Sequence, residues 1–71
     1  MKVTVGDRQE RGDYDQYPVV RQDGRILFVH VYAPDDARIM VPSPLRLAQH
    51  GAALTQDAAI AAAVALVKER P

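Results

Sequence analysis

The chain contains no cysteine. Disulfides, thiolate nucleophiles and cysteine-ligated zinc are therefore excluded. It also lacks net charge: nine Lys and Arg cancel nine Asp and Glu, so no overall field draws in phosphate backbones or anionic lipid headgroups. No apolar run approaches the roughly 20 residues of a membrane-spanning helix. The first residues, Met1-Lys2-Val3-Thr4-Val5-Gly6, lack the long apolar core of a secretory signal. The expectation is a cytoplasmic protein with no membrane partner. A glycine-rich phosphate loop is missing as well.

What is present fits a small globular domain. Of the 71 residues, 48% are hydrophobic and 25% charged, which separates the chain from disordered segments. We read residues 1–71 as one domain. At this size folding buries only about 60% of the unfolded surface, so association is a common source of added stability. Seven arginines against two lysines, with many Ala and Asp, point by composition to a GC-rich bacterial or phage genome.

Along the chain, Val3 and Val5 alternate with Lys2 and Thr4 as a short strand, and residues 6–16 hold one large apolar side chain and two glycines, which predicts a solvated loop. Asp23-Gly24 between Tyr17–Gln22 and Arg25–Ala33 is the strongest local signal, a hairpin with a type I′ turn. A two-residue loop would set Val20 opposite Leu27, Val19 opposite Phe28 and Tyr17 opposite His30. One face would then carry Pro18, Val20, Leu27, Val29 and Val31. The other would carry Tyr17, Val19, Ile26, Phe28, His30 and Tyr32, with Arg21 at its turn end. Pro18 cannot donate a ladder bond, which places its strand's start or an edge there.

Pro34-Asp35-Asp36-Ala37 reads as a turn, followed by a strand from Arg38 to Val41 that Pro42 ends. Ser43-Pro44 resembles a helix start and Gly51 a helix end, predicting a short helix near residues 44–50 with His50 at its negative pole. Thr55 caps a longer helix over residues 56–70, with Asp57 at its positive end and Lys68 and Arg70 at its negative end. Its stripe of Ile60, Ala63, Val64 and Val67, widened by Ala59, Ala62 and Leu66, faces the sheet, leaving Asp57, Ala61, Ala65 and Lys68 toward water. The expected architecture is α+β and two-layered: a three- or four-stranded antiparallel sheet, a C-terminal helix on one face and the short helix nearby.

Chemical signatures are sparse. His30, His50, Asp35 and Asp36 form the only conceivable metal set, without the spacing that a zinc site requires. Ser43, His50 and Asp57 supply the letters of a hydrolase triad, yet no nucleophile elbow surrounds Ser43 and its N-cap role already accounts for it. Arg11-Gly12-Asp13 spells an adhesion tripeptide, a three-residue match that chance explains. We expect no enzyme activity and no cofactor.

The strand 26–33 carries apolar side chains in both alternating registers, so both faces of its sheet are oily. One long helix roofs only one of them. The second face, Tyr17, Val19, Ile26, Phe28, His30 and Tyr32 with Arg21, is therefore the expected partner-binding surface, used first for self-association into a homodimer or else for a second protein. The competing structural reading folds the short helix or the N-terminal loop over it as ordinary core. A single-stranded nucleic-acid platform would stack bases on Tyr17, Phe28 and Tyr32 and meet phosphates with Arg21, Arg25 and Arg38; the charge balance argues against it.

A Tyr-Pro-led strand (Tyr17-Pro18-Val19-Val20), a tight turn, a second strand ending in Pro34-Asp35 and a final helix after Thr55 are similar to the order in HicB-type antitoxins. The glycine-rich stretch usual after the Pro-Asp is absent, and the insertion before the helix is longer. The resemblance implies a toxin-neutralising homo-oligomer and carries over no functional residue. Small phage-encoded inhibitors share the sheet-plus-helix style.

Overall fold

A computed structural model describes residues 1–70. The fold is α+β: a six-stranded antiparallel sheet with one helix packed on one face. The strands are β1 (Val3–Val5), β2 (Gln9–Glu10), β3 (Asp15–Arg21), β4 (Ile26–Ala33), β5 (Asp36–Pro42) and β6 (Leu47–Leu54), and α1 runs from Gln56 to Glu69. The sheet order is β1-β3-β4-β5-β6, with β2 pairing β3 beyond the end of β1.

The β3–β4 turn decides which residues share a face. Gly24 donates to the Arg21 carbonyl (2.9 Å), Arg21 donates to the Arg25 carbonyl (2.7 Å), and Gly24 has φ of +96°. That is a three-residue loop, Gln22-Asp23-Gly24, of the type I turn plus left-handed glycine kind, rather than the two-residue type I′ turn that Asp-Gly suggests. The extra residue moves the register by one. Val20 lies opposite Ile26, Val19 opposite Leu27, Pro18 opposite Phe28 and Tyr17 opposite Val29. Because side chains alternate, a one-residue slip carries every β3 side chain to the other face relative to β4.

The helix-covered face therefore holds Val19, Leu27, Val29, Val31, Ala37 and Ile39 against Ala59, Ala63 and Val67. Val19, Leu27, Val29 and Val67 are wholly enclosed, each contributing on the order of 1.5–3 kcal/mol of burial. Ala59, Ala63 and Val67 recur at four-residue intervals, and the alanines let the helix approach closely. Ile60, Ala62, Val64 and Leu66 flank this contact, half-buried. The helix begins as its sequence dictates: the Thr55 hydroxyl accepts from the Ala58 amide, with Asp57 in the first turn and Lys68 in the last. Gln56 N–H donates to the Pro34 carbonyl (2.9 Å), pinning the helix start to the β4–β5 turn.

The expected helix near residues 44–50 is not formed; this stretch is a turn and the first half of the β6 edge strand. Pro44 sits within a tight turn closed by Ser43 N–H to the Arg46 carbonyl (2.8 Å) and by the Ser43 hydroxyl to the same carbonyl (2.6 Å). Ser-Pro suits such a turn as well as a helix start. A helix of seven residues is too short to hold itself together in water, whereas the strand pairs with β5 from Ala37 to Pro42. Gly51, expected to end the helix, uses its left-handed freedom (φ +75°) at an irregularity where the β5–β6 register shifts.

Two further departures concern the N-terminal half. Residues 6–16 contain β2, whose Gln9 and Glu10 pair with Gln16 and Asp15, so this segment is partly ordered on the sheet. Pro18 lies inside β3, not at its start. Its carbonyl accepts from Gly6 N–H (2.8 Å), so its nitrogen, pointing the same way, faces the break between β1 and β2 where no ladder bond is lost. Gly6 is required there because a Cβ would stand 2.6 Å from the Pro18 ring.

Candidate functional site

The sheet face opposite the helix is built from β3 positions Gln16, Pro18 and Val20, β4 positions Ile26, Phe28 and His30, and β5 positions Arg38 and Met40, by the alternation that the ladder pairs fix. Ile26, Phe28 and Met40 are half-buried and lie outside the core that packs against the helix. Of the expected partner-binding set, Ile26, Phe28, His30 and Tyr32 lie on this side. Tyr17, Val19 and Arg21 do not.

Those three side chains serve the helix layer. Val19 is in the core, and the Tyr17 hydroxyl accepts a hydrogen bond from the Gln56 amide (3.3 Å). Arg21, 6% exposed, reaches the end of α1 and donates through Nη1 to the carbonyls of Val67 (2.9 Å), Lys68 (3.3 Å) and Arg70 (2.7 Å). Its Nε and Nη2 grip both carboxylate oxygens of Asp23 at 2.8 and 2.7 Å. The guanidinium thus supplies donors to terminal helix carbonyls that lack partners of their own, with its charge at the negative end of the dipole. The hydrogen bond from Arg21 holds the Asp23 carboxyl at about 2, well below its ordinary value, and the Asp23 partner raises Arg21.

At the β2 end of the open face lies a polar and aromatic cluster centred on His30, which is 5% exposed. His30 Nε2 and Gln16 Oε1 are 2.9 Å apart, and since an amide oxygen only accepts, Nε2 carries the proton. Gln16 Nε2 donates in turn to Gln9 Oε1 (2.8 Å), which also accepts from Arg11 (3.1 Å). Tyr14 stacks on the imidazole with centroids 4.2 Å apart and packs against Tyr32 at 5.4 Å. The Arg38 guanidinium lies 4.5 Å from the Tyr32 centroid and is held by Asp36 (3.1 Å). Burial pushes His30 below its ordinary pKa. Tyr14 and Gln16 were not legible as site residues: Tyr14 is the lone ring in a polar stretch, and Gln16 lies just before the strand that periodicity marks.

Among residues 1–70 no group of three or more His, Asp or Glu side chains converges as a metal site. His30 is sealed by a tyrosine and a glutamine, while His50 is exposed on β6. Ser43 is engaged with Arg46. A shallow depression of about 310 Å³ lies at the β1–β3 end, lined by Lys2, Thr4, Val20, Arg21 and Gln22. It brings together no pair of groups suited to acid–base or nucleophilic chemistry. No described helix is long and apolar enough to cross a membrane. Comparison with protein-family models, with curated proteins and with solved structures yields no match, so the resemblance to HicB-type antitoxins rests on element order alone.

Proposed function

We propose that this chain is a non-catalytic protein-binding module that associates with a second copy of itself through the open sheet face. The observation that carries the reading is the position of Ile26, Phe28 and Met40, which stay partly in water on the face α1 does not cover. Leaving side chains of this size exposed forgoes stabilisation of about 1–3 kcal/mol each in a domain with little to spare.

A second copy is the occupant that the charges favour. The centre of the face, Pro18, Val20, Ile26, Phe28 and Met40, is uncharged, so a two-fold arrangement brings no like charges together. Two arginines at the β2 end are matched within the chain, Arg38 with Asp36 and Arg8 with Glu10 and Asp15, while Arg11 donates to Gln9. Overall extents of 30 × 26 × 22 Å limit any face to roughly 800 Å², the contribution of one partner to a standard interface. Tyr32, 43% exposed, sits at the margin, where a ring with a polar tip is well suited.

A nucleic-acid platform fits less well, because Arg21 is spent on the helix end and Arg38 is tied to Asp36. An antitoxin-like or inhibitor-like regulator would use the same face toward another protein. Sedimentation equilibrium tests the proposal. Phe28→Asp is expected to lower the solution mass while far-UV circular dichroism stays unchanged; a wild-type protein that remains monomeric at high micromolar concentration refutes it.

A further inference from the structure

We infer that β6 is a second self-association surface, pairing antiparallel with β6 of another copy about a two-fold axis and so extending the sheet. This goes beyond the face contact and stands on different residues. The two edges of the sheet are unequal. One consists of β1 and β2, three and two residues long, and is flanked by Lys2, Arg8 and Glu10. Short strands and charges are the usual protection of an open edge. The other edge is β6, eight residues long and mostly exposed.

From Leu47 to Gln56 there is no Asp, Glu, Lys or Arg, and β6 itself contains no proline. Self-pairing about a two-fold sets each residue beside its own copy or a near neighbour, so any charge would face its like. An uncharged edge tolerates this arrangement, and it offers nothing by which a charged foreign strand would be selected. The irregularity at Gly51 limits the straight part to Leu47–His50, opposite Ile39–Pro42. Leu45, 96% exposed on the β5–β6 turn, stands in water just before this segment, and Leu54, 36% exposed, closes the far end of β6 beyond the irregularity. Leu45 would be drawn toward the partner. Gln49 is the polar side chain at the middle of the straight part, exposed and donating only to the nearby Gly51 carbonyl (3.0 Å).

A two-fold register centred on Gln49 places the two copies of residue 49 opposite each other, and one centred on Ala48 or His50 places them two residues apart on the same face, a diagonal distance that long charged side chains still bridge. The test therefore uses Gln49→Lys and Gln49→Glu, each introduced beside Phe28→Asp so that the face contact is removed. Sedimentation of Phe28→Asp alone is expected to report a dimer at high micromolar concentration, each double variant a monomer, and a one-to-one mixture of the two double variants a dimer again. A monomeric Phe28→Asp protein overturns the proposal, as do double variants whose mass is unchanged or a mixture that stays monomeric. Hydrogen exchange on the wild-type chain covers the case in which Phe28→Asp fails to fold. Amides of residues 47–50 should gain protection as concentration rises, and concentration-independent exchange there also overturns the proposal. A mass that Phe28→Asp leaves unchanged, with these amides still protected, leaves the β6 inference standing and removes the face contact.

Discussion

The Arg21 guanidinium donates to the Val67 carbonyl at 2.9 Å across a sequence separation of 46 residues. It ties the β3–β4 turn to the last turn of α1. The same guanidinium holds Asp23 in a bidentate pair, so the turn, the sheet and the helix end are fixed by one buried cation. Truncating one partner of such an arrangement leaves the others unsatisfied.

Arg21→Met keeps the aliphatic stem and removes the donors. The expected result is a lower melting temperature and faster amide exchange confined first to residues 66–69, ahead of the rest of α1. Uniform exchange along the helix would show that the cap is not a local constraint. Arg21→Lys, with a single ammonium and no planar fork, should recover only part of the loss.

Acid stability should carry the signature of Asp23. Its folded carboxyl titrates at about 2 against an ordinary 3.8. The unfolded chain therefore takes up a proton that the folded chain refuses, and the contribution of the pair is full above 3.8 and lost as pH falls toward 2. Urea midpoints measured between pH 5 and pH 2 should fall more steeply for wild type than for Asp23→Asn, which has no carboxyl to protonate. Parallel curves would exclude the pair as the source.

His30 acts in a milder window. Burial depresses its pKa below 6.5, and the groups facing the ring, Tyr14 and Gln16 from one side and Arg38 from its ladder partner position on β5, include no carboxylate to favour the cation. Stability from neutral His30 is thus complete above pH 6.5 and declines below it, until the folded imidazole is itself protonated. Wild type should lose stability between pH 6.5 and 5, and His30→Gln should not. Fluorescence-detected thermal melts across this range give the comparison.

Adjacent residues of β3 should respond in opposite ways. Val19→Asp places a carboxylate in the enclosed core and is expected to prevent folding. Val20→Asp, on the open face, should leave circular dichroism intact and reduce association. Leu27→Ala should cost about 2 to 5 kcal/mol as a large-to-small change in an enclosed position. If Val19→Asp folded and Val20→Asp did not, the one-residue register assigned to this hairpin would be wrong.

Much of the architecture follows from local signals. The Thr55 cap, the apolar stripe from Ala59 to Val67, the turn at Pro34-Asp35 and the hairpin around Asp23-Gly24 are each encoded within a few residues, because capping, periodicity and turn chemistry are short-range effects. Two errors arose where local chemistry was ambiguous. Asp23-Gly24 supports a two-residue and a three-residue loop, and the choice moved Tyr17, Val19 and Arg21 from the candidate surface to the helix side while bringing Pro18 and Val20 to it. Ser43-Pro44 serves a helix start and a hairpin turn equally.

The sequence by itself determined the α+β class, the helix with its N-cap, the existence of an oily strand at 26–33 and, by lacking cysteine, the absence of thiol chemistry. Only the tertiary structure decided the strand count, the use of residues 47–54 as an edge and the role of Arg21. Hydrogen-bond ladders and terminal helix carbonyls are satisfied by whatever partner the fold brings near. That choice depends on distances across the folded chain, which neighbouring residues do not encode.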